Sequence, residues 1–113
     1  MVTPAAGSVV LVRFPFSDLS HAKLRPAVVL ADAGRGDWIL CQVTSNPYGD
    51  PAAVLLSDVD FASGSLRLTS YARPGKLFTA RCDLMSRTIG VLTAEARLRV
   101  IDAVVSLLRG SAP

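Results

Sequence analysis

Short runs of aliphatic and β-branched residues recur along the chain, and polar or glycine-containing stretches separate them, as is typical of strands joined by turns. The pattern predicts seven strands, at about 9–14, 26–31, 38–44, 53–56, 66–70, 77–82 and 86–91. The long polar segments 16–24 and 45–51 are predicted to be surface loops, and 58–65 a further loop. Pro74-Gly75 predicts a turn before the sixth strand.

The hydrophobic period changes near the C-terminal end of the chain. Apolar residues recur there at helical spacing: Ala94, Leu98, Ile101, Val105 and Leu108. Thr93 is a suitable N-cap, and Arg109 followed by Gly110 is a suitable C-terminal end. The sequence therefore predicts one amphipathic helix that closes a small twisted sheet or barrel.

The size and composition of the chain limit its class. It has 113 residues, half of them apolar, which suffices for one globular domain over 1–113 and is too few for two. No apolar run approaches the roughly 20 residues of a membrane span, and no basic N-terminus precedes an apolar block as in a secretory signal. We therefore expect a cytoplasmic protein with no membrane partner.

Charge and metal-ligating residues restrict the chemistry further. The net charge of +3 permits a nucleic-acid partner only if the positive side chains gather on one face. His21 is the only histidine, and Cys41 and Cys82 are the only cysteines, without the spacing of a metal site. We expect no metal and no cofactor, and both cysteines are predicted to be buried thiols.

Candidate chemistry begins where the first polar loop meets the second predicted strand. Pro26 fixes its own φ angle and pushes Arg25 out of the α region into an extended conformation. Arg25 should therefore project from a rigid support, and its planar guanidinium can bond two phosphate oxygens at once. An ordinary surface arginine before a strand is the alternative interpretation of this pair alone.

Five segments in order along the chain resemble a known family. Segments 7–16, 24–30 and 41–45 resemble the MazF/PemK toxins of type II toxin–antitoxin pairs, and 70–78 and 89–92 are similar to the PemK-like branch. The resemblance covers nearly the whole chain. It implies a mainly β fold, an SH3-like barrel of the CcdB/MazF/PemK type closed by a C-terminal helix. It also implies a homodimer, a metal-independent endoribonuclease that acts on single-stranded RNA, and a cognate antitoxin whose disordered tail folds on the toxin.

The resemblance also assigns site residues. It implies that Arg25 and Thr44, the latter at the end of the third predicted strand, are the catalytic pair. Some members use an arginine and an acid on a later strand; Arg67 matches the arginine tolerably, but Thr69 stands where that acid would be. Ser8 replaces the acidic residue that usually follows the first glycine. Other residues are expected to bind RNA or to assist catalysis: His21, Lys23, Ser45, Arg67, Ser70 and Arg73.

Cleavage by attack of a 2′-hydroxyl on phosphorus needs a proton acceptor, a proton donor for the leaving 5′-oxygen, and positive charge. Arg25 can stabilise the developing charge, and Thr44 can hydrogen-bond the phosphate or the 2′-oxygen. His21 is the side chain best suited to proton transfer near neutral pH, but the sequence favours a loop histidine without a catalytic role.

Two other functions are compatible with the sequence: a CcdB-type toxin that binds gyrase, and a degenerate family member kept for protein binding. The presence of both Arg25 and Thr44 favours the ribonuclease, because a gyrase poison needs neither. Loops 17–23 and 45–50 are expected to determine the RNA sequence that is cut. Tyr48 and Tyr71 are candidates to stack an unpaired base, although we expect both to be buried or half-buried.

Overall fold

The fold is built around one strongly bent antiparallel sheet. The computed structural model describes residues 3–15 and 22–110, and within them it contains seven strands. They are β1 (Ser8–Pro15), β2 (Ala22–Gly34), β3 (Asp37–Thr44), β4 (Val54–Leu56), β5 (Phe61–Gly64), β6 (Ser70–Arg81) and β7 (Met85–Leu92). The strand order is β4-β6-β3-β2-β1-β7-β5, and helix α1 (Ala94–Arg109) follows the last strand. The predicted fold class, a mainly β SH3-like barrel closed by a C-terminal helix, is confirmed, and the antiparallel strands form a curled half-barrel.

The central strands are apolar on both faces because the bent sheet has a core on each side. Ala27, Val28 and Val29 are consecutive in β2 and all three are fully buried. Val28 belongs to a cluster that α1 covers, whereas Ala27 and Val29 belong to a second cluster with Trp38 and Phe78 at its border. Successive side chains of a strand point to opposite faces, so an unbroken apolar run reports burial on both sides.

Helix α1 begins and ends where the sequence predicted. The Thr93 hydroxyl accepts a hydrogen bond from the Ala96 N–H at 3.2 Å, and Gly110 adopts the left-handed conformation with φ of 73°. Because glycine enters this region without a steric penalty, it ends the helix cleanly. No helix in the described part of the chain is long and apolar enough to cross a membrane.

The face of α1 that packs on the sheet differs from the predicted one. Ala96, Val100 and Val104 are buried, whereas Leu98 and Leu108 are 53% and 71% exposed. The helix carries two apolar stripes, and periodicity alone does not distinguish the stripe that meets the sheet. The stripe of smaller side chains packs on the sheet, and that of larger side chains faces outward.

The predictions between residues 58 and 75 were wrong in three places. Segment 58–65 forms a 3-10 turn (Asp58–Asp60) and β5 instead of a loop, and 66–69 lies outside any strand. Pro74 and Gly75 lie within β6 instead of in a turn. They occupy a register shift between β6 and β3, where Cys41 pairs with Leu77 but Val43 pairs with Ala72. A proline is tolerated there because its missing N–H is not needed by the strand ladder.

The Asp60 carboxylate links this region to the helix. It accepts hydrogen bonds from Arg99 Nη2 and from the Ser57 backbone N–H, both at 2.8 Å. The Asp60 carbonyl oxygen accepts a third from the Thr93 N–H, also at 2.8 Å. Burial raises the pKa of Asp60, but the bonds from Ser57 and Arg99 and the positive charge of Arg99 outweigh it and lower that pKa. These contacts hold the turn before β5 against the start of α1.

Of the two predicted buried thiols, Cys41 is fully buried and Cys82 is only half-buried. The Cys41 sulfur lies 3.1 Å from the Arg73 carbonyl oxygen. Burial raises the pKa of Cys41 to about 12, so the thiol stays protonated at neutral pH. Cys41 is therefore a packing residue of the core.

Candidate active site

Pairing between strands brings predicted site residues to one end of the sheet. Ala27 of β2 pairs with Gln42 of β3 at the end of their ladder, and Arg25 and Thr44 each lie two residues beyond that pair. On the other side of β3, Thr44 pairs with Tyr71 of β6. Antiparallel pairing thus aligns residues that lie far apart in sequence.

A cavity of about 440 Å³ opens at this end of the sheet. Its walls come from the start of β2, the end of β3 and the segment before β6. Six of the predicted site residues line it: Lys23, Arg25, Thr44, Ser45, Arg67 and Ser70. The remaining lining residues are Leu24, Pro26, Val43, Leu66 and Leu68. The cavity therefore collects most of the predicted site, and its volume is that of a typical small-ligand pocket.

The charge of the cavity is positive. Lys23, Arg25 and Arg67 line it, and none of its lining residues within the described part of the chain is aspartate or glutamate. A concave surface with one sign of charge raises the local concentration of ligands of the opposite sign, here phosphates. His21 lies outside the described residues, as does the part 16–21 of the predicted loop 16–24. Residues 22–24 pair with β1 as the start of β2, so the prediction of a loop there was wrong.

The backbone supports Arg25 as the sequence predicted. Arg25 lies within β2, pairs with Val12 of β1, and is therefore extended. Its side chain is half-buried, with Nε inside the protein surface. Pro26 pairs with Leu11 of β1, and the ladder between β2 and β3 begins only at Ala27. The missing N–H of Pro26 is tolerated because it precedes the hydrogen bonds between β2 and β3.

The Thr44 hydroxyl is engaged with the loop that follows β3. It donates a hydrogen bond to the Asn46 carbonyl oxygen and accepts one from the Asn46 N–H, each at 3.1 Å. A hydroxyl has one proton and two lone pairs, so one lone pair of Thr44 remains available in this conformation. To donate to a phosphate, the hydroxyl must rotate its proton away from Asn46.

Sequence comparison matches neither a family model nor a curated protein. Structure comparison gives close matches. A MazE–MazF complex from Deinococcus radiodurans matches with a TM-score of 0.74 and 23% identity, over 96% of this chain and 98% of that chain. An endoribonuclease in complex with its cognate antitoxin, from a mycobacterial species, matches with a TM-score of 0.69 and 18% identity, over 100% and 99%. The Mycobacterium tuberculosis toxin MazF-mt6 gives 0.70 and 15%, over 94% and 99%. The chain has the MazF fold.

In this MazF fold the loop between β3 and β4 is held by its own hydrogen bonds. The Asn46 side-chain oxygen accepts from the Tyr48 N–H at 2.9 Å, and Asp50 Oδ1 accepts from the Ala52 N–H at 2.9 Å. Tyr48 has a φ of 55°, in the left-handed region, which costs of order 1 kcal/mol for a residue other than glycine. Its side chain is 69% exposed, so the prediction that Tyr48 is buried or half-buried was wrong. Tyr71 is half-buried, as predicted.

Arg73 is not among the residues that line the cavity. Its Nε donates to Asp50 Oδ2 at 3.1 Å, and both side chains are largely buried, with 22% and 16% exposed. Its guanidinium carbon lies 5.7 Å from the centroid of the Tyr48 ring. Arg73 thus contacts two residues of the loop between β3 and β4, Tyr48 and Asp50. Contact of Arg73 with RNA stays a prediction.

Segment 65–69 contributes Leu66, Arg67 and Leu68 to the cavity wall, and sequence reasoning predicted its conformation wrongly. It has no regular secondary structure, and Arg67 and Leu68 are exposed. A second cavity of about 270 Å³ lies against the same segment and shares Leu66, Arg67 and Leu68 with the first. The alternation of leucine with polar residues favoured a strand here, whereas Leu66 is half-buried against the core and anchors an irregular segment.

Proposed function

We propose that this protein is the toxin of a type II toxin–antitoxin pair and a metal-independent endoribonuclease for single-stranded RNA. The observation that carries the proposal is the convergence of Arg25, Thr44 and two further cations on one cavity of a MazF fold. Two solved proteins of this fold, both mycobacterial, are named as endoribonucleases. No group of three or more His, Cys, Asp or Glu side chains that could hold a metal ion occurs in residues 3–15 and 22–110.

In the proposed reaction a 2′-hydroxyl attacks the adjacent phosphorus. The bond between the 2′-oxygen and phosphorus forms as the 2′-hydroxyl loses its proton, and the bond between phosphorus and the 5′-oxygen breaks as the 5′-oxygen gains a proton. Arg25 donates hydrogen bonds to the phosphoryl oxygens and stabilises the charge of the pentacoordinate transition state. Thr44 binds the phosphate or the 2′-oxygen through its hydroxyl and holds the reacting atoms in line. Lys23 and Arg67 attract the neighbouring phosphates. Ser45 is a further hydrogen-bond donor in the same cavity, whereas the Ser70 hydroxyl donates its proton to the Leu68 carbonyl oxygen at 2.9 Å and offers the RNA only its lone pairs.

Incubation of the purified protein with end-labelled single-stranded RNA in EDTA tests this proposal. We expect cleavage, with 2′,3′-cyclic phosphate and 5′-hydroxyl ends, because water takes no part in the first step. The variant Arg25→Ala should lose nearly all cleavage. Arg87→Ala is its matched control and should cleave like the wild type, because Arg87 is exposed on β7 and does not line the cavity. Intact RNA together with blocked DNA supercoiling by gyrase would instead support a CcdB-type toxin, and intact RNA without that block a protein-binding role.

We also propose that the toxin is a homodimer that binds a cognate antitoxin. The outward stripe of α1 supports an interface, since Leu98, Val105 and Leu108 are 53%, 38% and 71% exposed, and apolar patches of this kind mark contacts between proteins. Solved relatives in fold include MazE–MazF complexes. Light scattering should give twice the chain mass at micromolar concentration, and a monomer mass would refute the dimer.

A further inference from the structure

We propose that Tyr48, in the loop that follows Thr44, is a stacking platform for one unpaired base of the RNA. The proposal rests on the proposed function and deepens it, because it names a contact to a base where the cavity residues contact the phosphate. A base has an aromatic face whatever its identity, so an exposed tyrosine can stack on it without reading its hydrogen-bonding edge.

The ring of Tyr48 is available to a ligand. The side chain is 69% exposed, and Arg73 lies at 5.7 Å from its centroid. The Arg73 guanidinium lies over one face of the ring, so we place the base on the other face. Arg73 is itself paired with Asp50 at 3.1 Å, so its position beneath the ring is held by a third side chain. A base on the open face would complete a stack of base, ring and guanidinium.

Hydrogen bonds order the backbone of the loop that carries the ring. Thr44 bonds Asn46 through its hydroxyl, and Asn46 bonds the Tyr48 N–H through its side chain. Asp50 is bonded to Arg73 and to the Ala52 N–H. A loop whose backbone is already ordered loses little conformational entropy on binding, which favours affinity. Four residues span at most about 14 Å, so the Tyr48 Cα lies within that distance of Thr44 Cα.

The backbone conformation argues that the tyrosine is there for function. A φ of 55° suits glycine or asparagine, and Gly49 next to it also has a positive φ of 69°. A large aromatic residue pays a steric cost at this position and buries little of its ring in return. Strain combined with exposure is typical of residues that bind ligands.

Two variants separate the ring from the backbone. Tyr48→Phe keeps the ring, and Tyr48→Asn removes the ring but suits the left-handed conformation. The probe is a single-stranded RNA centred on the cut that the wild-type protein makes in a mixed transcript pool. We expect Tyr48→Asn to lower kcat/KM by about tenfold to a hundredfold and Tyr48→Phe by less than about twofold. The melting temperature of Tyr48→Asn should equal or exceed that of the wild type, which excludes unfolding as the cause.

An abasic scan identifies the stacked nucleotide. Removal of one base near the cut should lower kcat/KM for the wild type, and with that substrate Tyr48→Asn should cost nothing further. Additive losses at every position would overturn the proposal, and so would equal kcat/KM for the three proteins on the intact RNA.

Binding to an uncleavable RNA keeps this inference separate from the proposed activity. The probe is a fluorescent, fully 2′-O-methylated RNA pool of random sequence, measured by anisotropy. If the wild type cuts no RNA, the proposed ribonuclease fails, but a weaker Kd for Tyr48→Asn with an unchanged Kd for Tyr48→Phe would still support stacking. If all three proteins bind the pool equally, or none binds it, the stacking proposal is wrong. A Tyr48→Asn defect seen only with an antitoxin peptide would assign the ring to a protein partner instead.

Discussion

The two sides of the candidate cavity are built in different ways. On one side, Arg25 and Thr44 stand in strand ladders, where Arg25 pairs with Val12 of β1 and Thr44 with Tyr71 of β6. On the other side, Arg67 stands on an irregular segment and is exposed. Leu66 of that segment packs against the core, and the segment lines a second cavity together with residues of the turn that Asp60 ties to α1.

The difference separates residues that can be positioned for catalysis from residues that bind. A catalytic group must be held within a fraction of an ångström of its productive position, and strand ladders supply that precision. A phosphate-binding cation at the edge of a groove tolerates movement, because Coulomb attraction falls off slowly with distance. We therefore expect substitutions of Arg25 and Thr44, on the ladder side, to lower kcat. Substitutions of Arg67, on the segment side, should lower the affinity for RNA.

Arg25→Ala should give the largest effect. Loss of a charged donor to the transition-state phosphate is expected to lower kcat by about 10²–10³-fold, by analogy with lost oxyanion-hole donors. Arg25→Lys should recover little, because lysine cannot bond two oxygens with the planar guanidinium geometry. Single-turnover cleavage of labelled RNA measures kcat, and the melting temperature checks the fold. Equal rates for the variant and the wild type would remove Arg25 from the catalytic set.

The same difference explains what sequence reasoning could predict. Arg25 precedes a proline and Thr44 ends an apolar run, so local rules predict an extended backbone at Arg25 and a strand end at Thr44. Their convergence follows from antiparallel pairing, and the resemblance to MazF/PemK toxins supplied the expectation that they act together. Arg67 was expected in the site, but on a strand, because the alternation of Leu66 and Leu68 with polar residues has the same period as a strand.

Other features depended on tertiary contacts that the local pattern does not report. Leu98 and Leu108 follow helical spacing as well as Ala96 and Val100 do, and only packing against the sheet shows which pair is buried. The exposure of Tyr48 depends on a left-handed backbone that Asn46 supports through a side-chain hydrogen bond. An asparagine two residues before the tyrosine and a glycine after it were the available signals for a tight turn.

Asp60→Asn tests the support of the segment side. The variant loses the charged bond to Arg99, and we expect the free energy of unfolding at pH 7 to fall by about 1.5–3 kcal/mol. Because the folded pKa of Asp60 lies below its usual 3.8, the stabilisation is present above that value and is lost as the pH falls through the folded pKa. Urea unfolding at pH 7 and at pH 3 should show the gap between variant and wild type shrinking at the lower pH.

Asp58→Asn is the matched control for Asp60, since Asp58 lies two residues earlier and is exposed. Its stability should stay within about 0.5 kcal/mol of the wild type at both pH values. In the cleavage assay, Asp60→Asn should raise KM more than it lowers kcat, because it loosens only the segment side. A gap between Asp60→Asn and the wild type that does not change with pH would show that the carboxylate charge is not what stabilises the turn.

Arg67→Ala should have a smaller effect than Arg25→Ala or Asp60→Asn. It is the most direct test of the difference between the two sides of the cavity. If Arg67 pairs with a phosphate of bound RNA, its loss should weaken binding of every sequence by a similar factor of about tenfold and reduce the slope of log Kd against log salt by about one. The value of kcat should stay within about threefold of the wild type. Arg87→Ala, an exposed arginine outside the cavity, should change neither quantity. A hundredfold fall in kcat with unchanged affinity would place Arg67 beside Arg25 in the reaction, and the irregular segment would then be as well positioned for catalysis as the strand ends.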